Sequence, residues 1–133
     1  MSRVTLVDGW VTNAPQQEIW PRVQHFLVQS KASIEVAGPN EVWARQGSQV
    51  STRLIGGWFA GAEKYPKRIH VRFGPAVDGT QIDVQIDETL GFGILDPMFR
   101  NRYQEYFVWW DGLLKTFLPP VVPTTPQVYL NGV

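Results

Sequence analysis

Between Lys67 and Thr89 the sequence changes character at almost every residue. Ile69, Val71 and Phe73 alternate with Arg68, His70 and Arg72; beyond an Asp78-Gly79 turn, Ile82, Val84 and Ile86 alternate with Gln81, Asp83, Gln85 and Asp87. Side chains on a strand point alternately to opposite faces, so each run has one wholly apolar face and one polar face. Two such strands joined by a tight turn pair antiparallel, with the basic residues of one meeting the acidic residues of the other on the solvent side. His70 belongs to that solvent side. An apolar sheet face must be covered by another layer.

The cover is written near the C-terminal end. Asp96-Pro97 supplies an N-cap and a first-turn proline, and Phe99, Tyr103, Tyr106, Phe107, Trp110, Leu113, Leu114 and Phe117 follow at three- and four-residue spacing until Pro119-Pro120. The pattern predicts one amphipathic helix, roughly 33 Å long. Val108 and Trp109 fall off its main stripe. That breadth suits a dimer contact, a membrane-facing ridge or a helix seated deeply in a curved sheet, and the third is the expectation. Gly112, which costs about 1 kcal/mol against Ala in a helix interior, marks a point of close approach by a backbone or a ligand.

Upstream, Val4 to Val11 is rich in β-branched residues and reads as a strand. Asn13-Ala14-Pro15 reads as a helix start with Asn13 as N-cap, followed by Ile19, Trp20, Val23, Phe26 and Leu27 on one stripe. Pro21, beyond the first turn, is expected to kink this segment or divide it in two. From residue 32 the period becomes 2, with strand-like runs at 33–37, 41–46, 49–55, 67–73 and 80–89. Gly38-Pro39-Asn40 and Gly47-Ser48 supply further turns. The connection from Gly56 to Pro66 holds three Gly and three aromatic residues, and suits either a lid or a plug for one end of the core. Gly91-Phe92-Gly93 reads as a hinge before the long helix. Residues 1–118 are expected to form one domain and 119–133 a Pro-rich extended tail, with Val128-Tyr129-Leu130 as a docking patch.

Composition narrows the function classes. Twelve basic residues balance twelve acidic ones among 133, with no dense basic stretch, which argues against nucleic acid as a partner. No apolar run approaches the roughly 18 residues of a membrane span, and the expectation is a cytoplasmic protein. There is no Cys and only two His, so neither a disulfide nor the usual zinc spacings can be written, and no cofactor motif is present. His25 reads as a partly exposed helix position. No Gly-x-Ser-x-Gly context exists for a nucleophilic serine. Seventeen aromatic residues must still go somewhere: a thick core, a ligand cavity or a partner surface. Inward polar groups are few. Arg45 and Arg53 lie on runs of ambiguous parity; one could point inward as an anchor for an anionic group, or both could lie on the outer face.

The order of elements, with Asn13-Ala14-Pro15 followed by Ile19-Trp20, resembles the START-like superfamily of helix-grip proteins, which includes polyketide cyclases, lipid-transfer domains and plant pollen allergens. The resemblance in element order covers residues 3 to 118. That superfamily usually has six strands after its helical pair, where five are counted here. The resemblance implies an α+β fold in which a curved antiparallel sheet grips the C-terminal helix, with a hydrophobic cavity between them. Catalytic residues are not shared across the superfamily, so none is assigned. The leading expectation is binding or transport of a hydrophobic small molecule, lipid or polyketide-like, in a cavity lined by Trp43, Trp58, Phe73, Val84, Phe92, Tyr103, Phe107 and Trp110, with Arg45 and Arg53 as polar anchors. Two alternatives stay open: a polyketide cyclase or dehydratase, and an interaction or assembly module whose cavity is filled by side chains, for which a homodimer would be one form.

Overall fold

The computed structural model describes residues 4–47, 66–89 and 97–130, the side chains of 97–99 excepted. The strand expected at 49–55, the connection from 56 to 65, the hinge at 91–93 and Asp96 lie outside the described residues, as do Arg53, Trp58 and Phe92. The chain runs β1 (Val4–Thr12), α1 (Gln16–Gln29), β2 (Ser33–Ala37), β3 (Glu41–Gln46), β4 (Lys67–Ala76), β5 (Gly79–Glu88), α2 (Pro97–Phe117) and β6 (Gln127–Leu130). The described strands form one antiparallel sheet in the order β2-β3-β4-β5-β1-β6. This is the expected α+β arrangement of a curved sheet around a long C-terminal helix.

The strand faces sort as the alternation requires. Ile69, Val71 and Phe73 of β4 and Ile82, Val84 and Ile86 of β5 are buried, and they meet Tyr103, Phe107, Trp110 and Leu114 of α2 and Ile19, Val23, Phe26 and Leu27 of α1 in one core. The outer face carries charge, but its ion pairs differ from the simple cross-strand scheme. Arg68 stands opposite Asp87 and Arg72 opposite Asp83 in the register, yet Arg68 and Arg45 both reach Glu35 of β2, at 3.3 and 2.9 Å. Asp87 instead accepts the Thr5 hydroxyl at 2.7 Å.

α1 is one continuous helix, so Pro21 does not divide it. Proline's missing N–H frees the carbonyl of Gln17, and both residues lie on the exposed face, where that carbonyl is open to solvent. The N-cap is Pro15 rather than Asn13: its extended backbone (φ −67°, ψ 155°) feeds the first turn, its carbonyl accepts the Glu18 N–H, and no side chain caps. The other end closes in a Schellman motif, with Lys31 N–H on the Val28 carbonyl and Ala32 N–H on the Leu27 carbonyl. That motif needs a left-handed residue, usually Gly. Here it is Lys31 at φ 61°, an L-residue whose Cβ crowding costs about 1 kcal/mol.

α2 runs from Pro97 to Phe117 as expected, but its off-stripe residues are not seated in the sheet. Val108 and Trp109 are exposed, Trp109 to 56%. Nor does any described residue approach the open side of Gly112. Both follow from the narrowness of the contact: the buried stripe is Tyr103, Phe107, Trp110, Asp111, Leu114 and Leu118, leaving Val108, Trp109 and Gly112 on the far side. After α2 the chain turns back over the end of β1. Val121 N–H bonds the Val11 carbonyl, and Gln127–Leu130 adds as an outer strand along Val4–Val7.

Candidate functional site

Among the described residues, two clusters of ionisable and amide side chains break a largely apolar interior. The first begins with strand register. Gln46 stands beside Lys67 and Lys67 beside Glu88, so three polar side chains cross β3, β4 and β5 in one row on the inner face. All three are buried, Lys67 to 1% exposure. A buried polar row needs partners. Tyr106 of α2 donates its hydroxyl to Gln46 Oε1 at 3.0 Å, Gln46 donates through Nε2 to the Ser30 carbonyl, and Lys67 Nζ lies 4.4 Å from the centre of the Tyr106 ring. Tyr103, one turn earlier, donates to the Pro66 carbonyl at 2.9 Å.

Beside this row a groove of about 340 Å³ opens between the end of α1 and the middle of α2. Its walls are Phe26, Tyr106, Trp109 and Leu113, and its rim is Gln29, Ser30 and Lys31. Phe26 joins groove to core, its ring meeting Trp110 edge-on at 4.7 Å. A second, more open depression of about 510 Å³ on the other side of Trp109 is lined by Asn101, Gln104, Glu105 and Val108. The first groove differs from it in charge, carrying Lys31 where the second carries Glu105.

The second cluster lies at the far end of α2. Asp8 shares strand parity with Leu6 and Trp10 and points inward; Asp111 and Lys115 are one helical turn apart on α2. Lys115 Nζ lies 2.6 Å from Asp8 and 3.2 Å from Asp111, and also donates to the Thr124 carbonyl at 2.9 Å. Thr124 in turn donates its hydroxyl to Asp8 at 3.0 Å. Two carboxyl groups in contact cannot both ionise cheaply out of water. Burial, then the hydrogen bond and charge of Asp8, push Asp111 up to about 7 against the pull of Lys115. Burial would raise Asp8 as well, but hydrogen bonds from Asp111, Lys115, Thr124 and the Gly9 N–H hold it below the ordinary carboxylate range. Lys115, which burial would lower, is raised by both carboxyl groups. Below about pH 7 the two carboxyl groups thus share one proton.

The expected lining residues divide by strand parity. Phe73, Val84, Tyr103, Phe107 and Trp110 are brought together in the core between sheet and α2. Trp43 is not brought there. Val42 and Ala44 take the inner positions of β3, and Trp43 lies on the outer face, stacked flat on His70 at 3.6 Å with Arg68 over its other side at 4.4 Å. Arg45 is on that same outer face, paired with Glu35. His70 also faces outward, but this stack shelters it, leaving 13% of its side chain exposed beside Glu41 at 2.9 Å. His25 is exposed on α1, against the Phe117 ring. The inward polar residues Asp8, Gln46, Lys67, Glu88, Asp111 and Lys115 are absent from the sequence-based expectation. Parity could have found four of them: Asp8 with Leu6 and Trp10, Gln46 with Val42 and Ala44, Lys67 with Ile69, and Glu88 with Ile86.

No family model and no curated protein matches the chain in sequence. Its architecture is similar to the crystal structure of protein MLL2253 from Mesorhizobium loti, with a TM-score of 0.56 and 10% identity over 85% of this chain and 95% of that one. The crystal structure of Ara h 8.0201 overlays with a TM-score of 0.47 and 12% identity, over 86% of this chain and 95% of its own. At such identities likeness speaks for the fold alone, which is the helix-grip arrangement of a curved antiparallel sheet around a long C-terminal helix.

Proposed function

We propose that this protein binds a hydrophobic small molecule, lipid or polyketide-like, with the groove between α1 and α2 as its point of entry or residence. The observation that carries the reading is an apolar recess of about 340 Å³, within the roughly 300–1,000 Å³ of small-molecule sites. Its walls include an indole left 56% exposed. Exposing Trp109 beside a recess forgoes burial that the fold could otherwise have used, and a ligand lying against it would recover that burial. Phe26 and Tyr106 connect the groove to Phe107, Trp110 and the other proposed lining residues one layer behind. The buried row of Gln46, Lys67 and Glu88 gives this end of the interior the few polar groups that orient a ligand.

The test is uptake of the neutral fluorescent probe N-phenyl-1-naphthylamine, with native mass spectrometry of the freshly purified protein. Saturable uptake at one site, weakened about tenfold or more by Leu113→Arg, supports the reading; no uptake, or uptake indifferent to that variant, refutes it. The exposed Val108–Trp109 ridge favours one other reading, an interaction module. A dimer in native mass spectra that Trp109→Ser dissociates would support that reading instead.

A further inference from the structure

Among the described residues the groove has one charged side chain, and the backbone holds it there by an unfavourable conformation. Lys31 occupies the left-handed position of the Schellman motif at φ 61°, where Gly is favoured because it alone escapes the Cβ clash. The motif is firmly anchored: Ala32 and Leu27, which it brings together, both pack at the core. It therefore fixes the point from which the Lys31 side chain leaves the helix, at the rim of a recess walled by Phe26, Tyr106, Trp109 and Leu113. No carboxylate lines that recess, and Lys31 has no ion pair among the described residues. An apolar groove ending at a cation that no described residue pairs is complementary to a molecule with an apolar body and an anionic head.

The size of that negative charge is also constrained. Lys31 follows directly on the C-terminus of α1, whose last carbonyls carry partial negative charge, and α1 has no basic residue in its own last turn. One lysine there balances a single negative charge. A doubly charged phosphate monoester would leave its excess facing the helix end. Resting on the ligand-binding reading above, we propose that the groove takes a monoanionic, carboxylate-bearing amphiphile, its head at Lys31 and its body against Trp109 and Leu113. Lys31 is then a specificity-determining residue, and its departure from Gly has a functional reason in addition to its favourable charge at the helix end.

The experiment compares dodecanoate with dodecanol, the same chain with a neutral head, as displacers of bound N-phenyl-1-naphthylamine at about pH 8, where the acid is ionised. The wild type is expected to prefer dodecanoate by about tenfold, with the preference shrinking as salt rises. Lys31→Gln should abolish the preference and Lys31→Arg keep it. Lys31→Gly should abolish it while raising the urea midpoint, because the backbone strain is relieved. Equal displacement by the two probes in the wild type, or a preference that survives Lys31→Gln, overturns the head-group assignment while leaving the groove as a binding site. Failure of the naphthylamine itself to bind removes the groove reading, and this proposal with it.

Discussion

Asp111 makes the stability of this protein depend on pH in an unusual direction. Its carboxyl group is 1% exposed, and the folded protein holds its proton up to about pH 7, against an ordinary value of 3.8. A group whose folded pKa lies above its unfolded one contributes stability that is full below the unfolded value and is lost as pH rises through the folded value. The window therefore runs from about pH 4 to about pH 7. Roughly three pH units at about 1.4 kcal/mol each give a loss on the order of 4 kcal/mol across it. That is a large part of the roughly 5–15 kcal/mol that holds a typical domain together. The neighbouring groups act elsewhere: Asp8, held low, contributes stability that is lost only as pH falls below about 4, and Lys115, held high, contributes stability that is lost only above about pH 10. Asp111→Asn keeps the shape and can donate an N–H to Asp8, but it cannot ionise. Urea unfolding of both proteins at about pH 4.5, 6 and 8 should show a wild type that weakens with pH relative to the variant, and a variant that is the more stable of the two at the alkaline end. Taking the difference between the two profiles removes the titrating groups that lie away from Asp111, and Asp8 and Lys115 titrate outside this pH window. A difference that is flat, or that grows in the wild type's favour with pH, would refute the shared-proton account.

Two further outcomes follow from packing. Gly79 has φ +143°, and a methyl group on its Cα would run into the Thr12 carbonyl oxygen; Gly79→Ala should cost more than about 3 kcal/mol, read as a lowered thermal midpoint, and an unchanged midpoint would contradict the β1–β5 register. Phe107 is wholly buried, with its ring 5.6 Å from that of Tyr103, so Phe107→Ala should lose about 3–5 kcal/mol in urea unfolding. A loss below about 1 kcal/mol would mean that the ring borders open space rather than packed core.

What could be read from the sequence was whatever repeats. The alternation at 67–89 and the three-and-four spacing after Pro97 each extend over several turns or pairs, so one ambiguous residue does not disturb them. They set the sheet, the covering helix and which side of β4 and β5 lies inside. Single residues were harder. Trp43 is larger and more apolar than Val42 or Ala44, so hydrophobicity alone sends it inward. Its parity with Glu41 and Arg45 sends it outward, where His70 and Arg68 supply the contacts that a core would have given. Asp8 and Lys67 were hidden for the converse reason: a charge at an inward position looks like noise until its partners, Asp111 and Lys115 for one and Tyr106 for the other, arrive from α2. The segment after Pro123 looked extended, and it is, but nothing local told that Gln127–Leu130 would find β1. Among the described strands β1 and β2 are the two edges left open to it, and the chain's turn back over the end of β1, where Val121 bonds Val11, brings it to β1.

That edge has a bearing on how the chain comes together. Strands β2 to β5 can pair as they are made, but β1 has its neighbours in β5 and β6, which lie about 75 and 120 positions further on. During synthesis at about 5–20 residues per second, the first strand therefore waits several seconds for either partner. Over that interval its apolar residues Val4, Leu6 and Trp10 and its inward-facing Asp8 have no partner in the sheet. Pairings this remote in sequence are slow to form. A single carboxylate, Asp8, lies among these apolar residues, and its partners Asp111 and Lys115 follow about a hundred positions later.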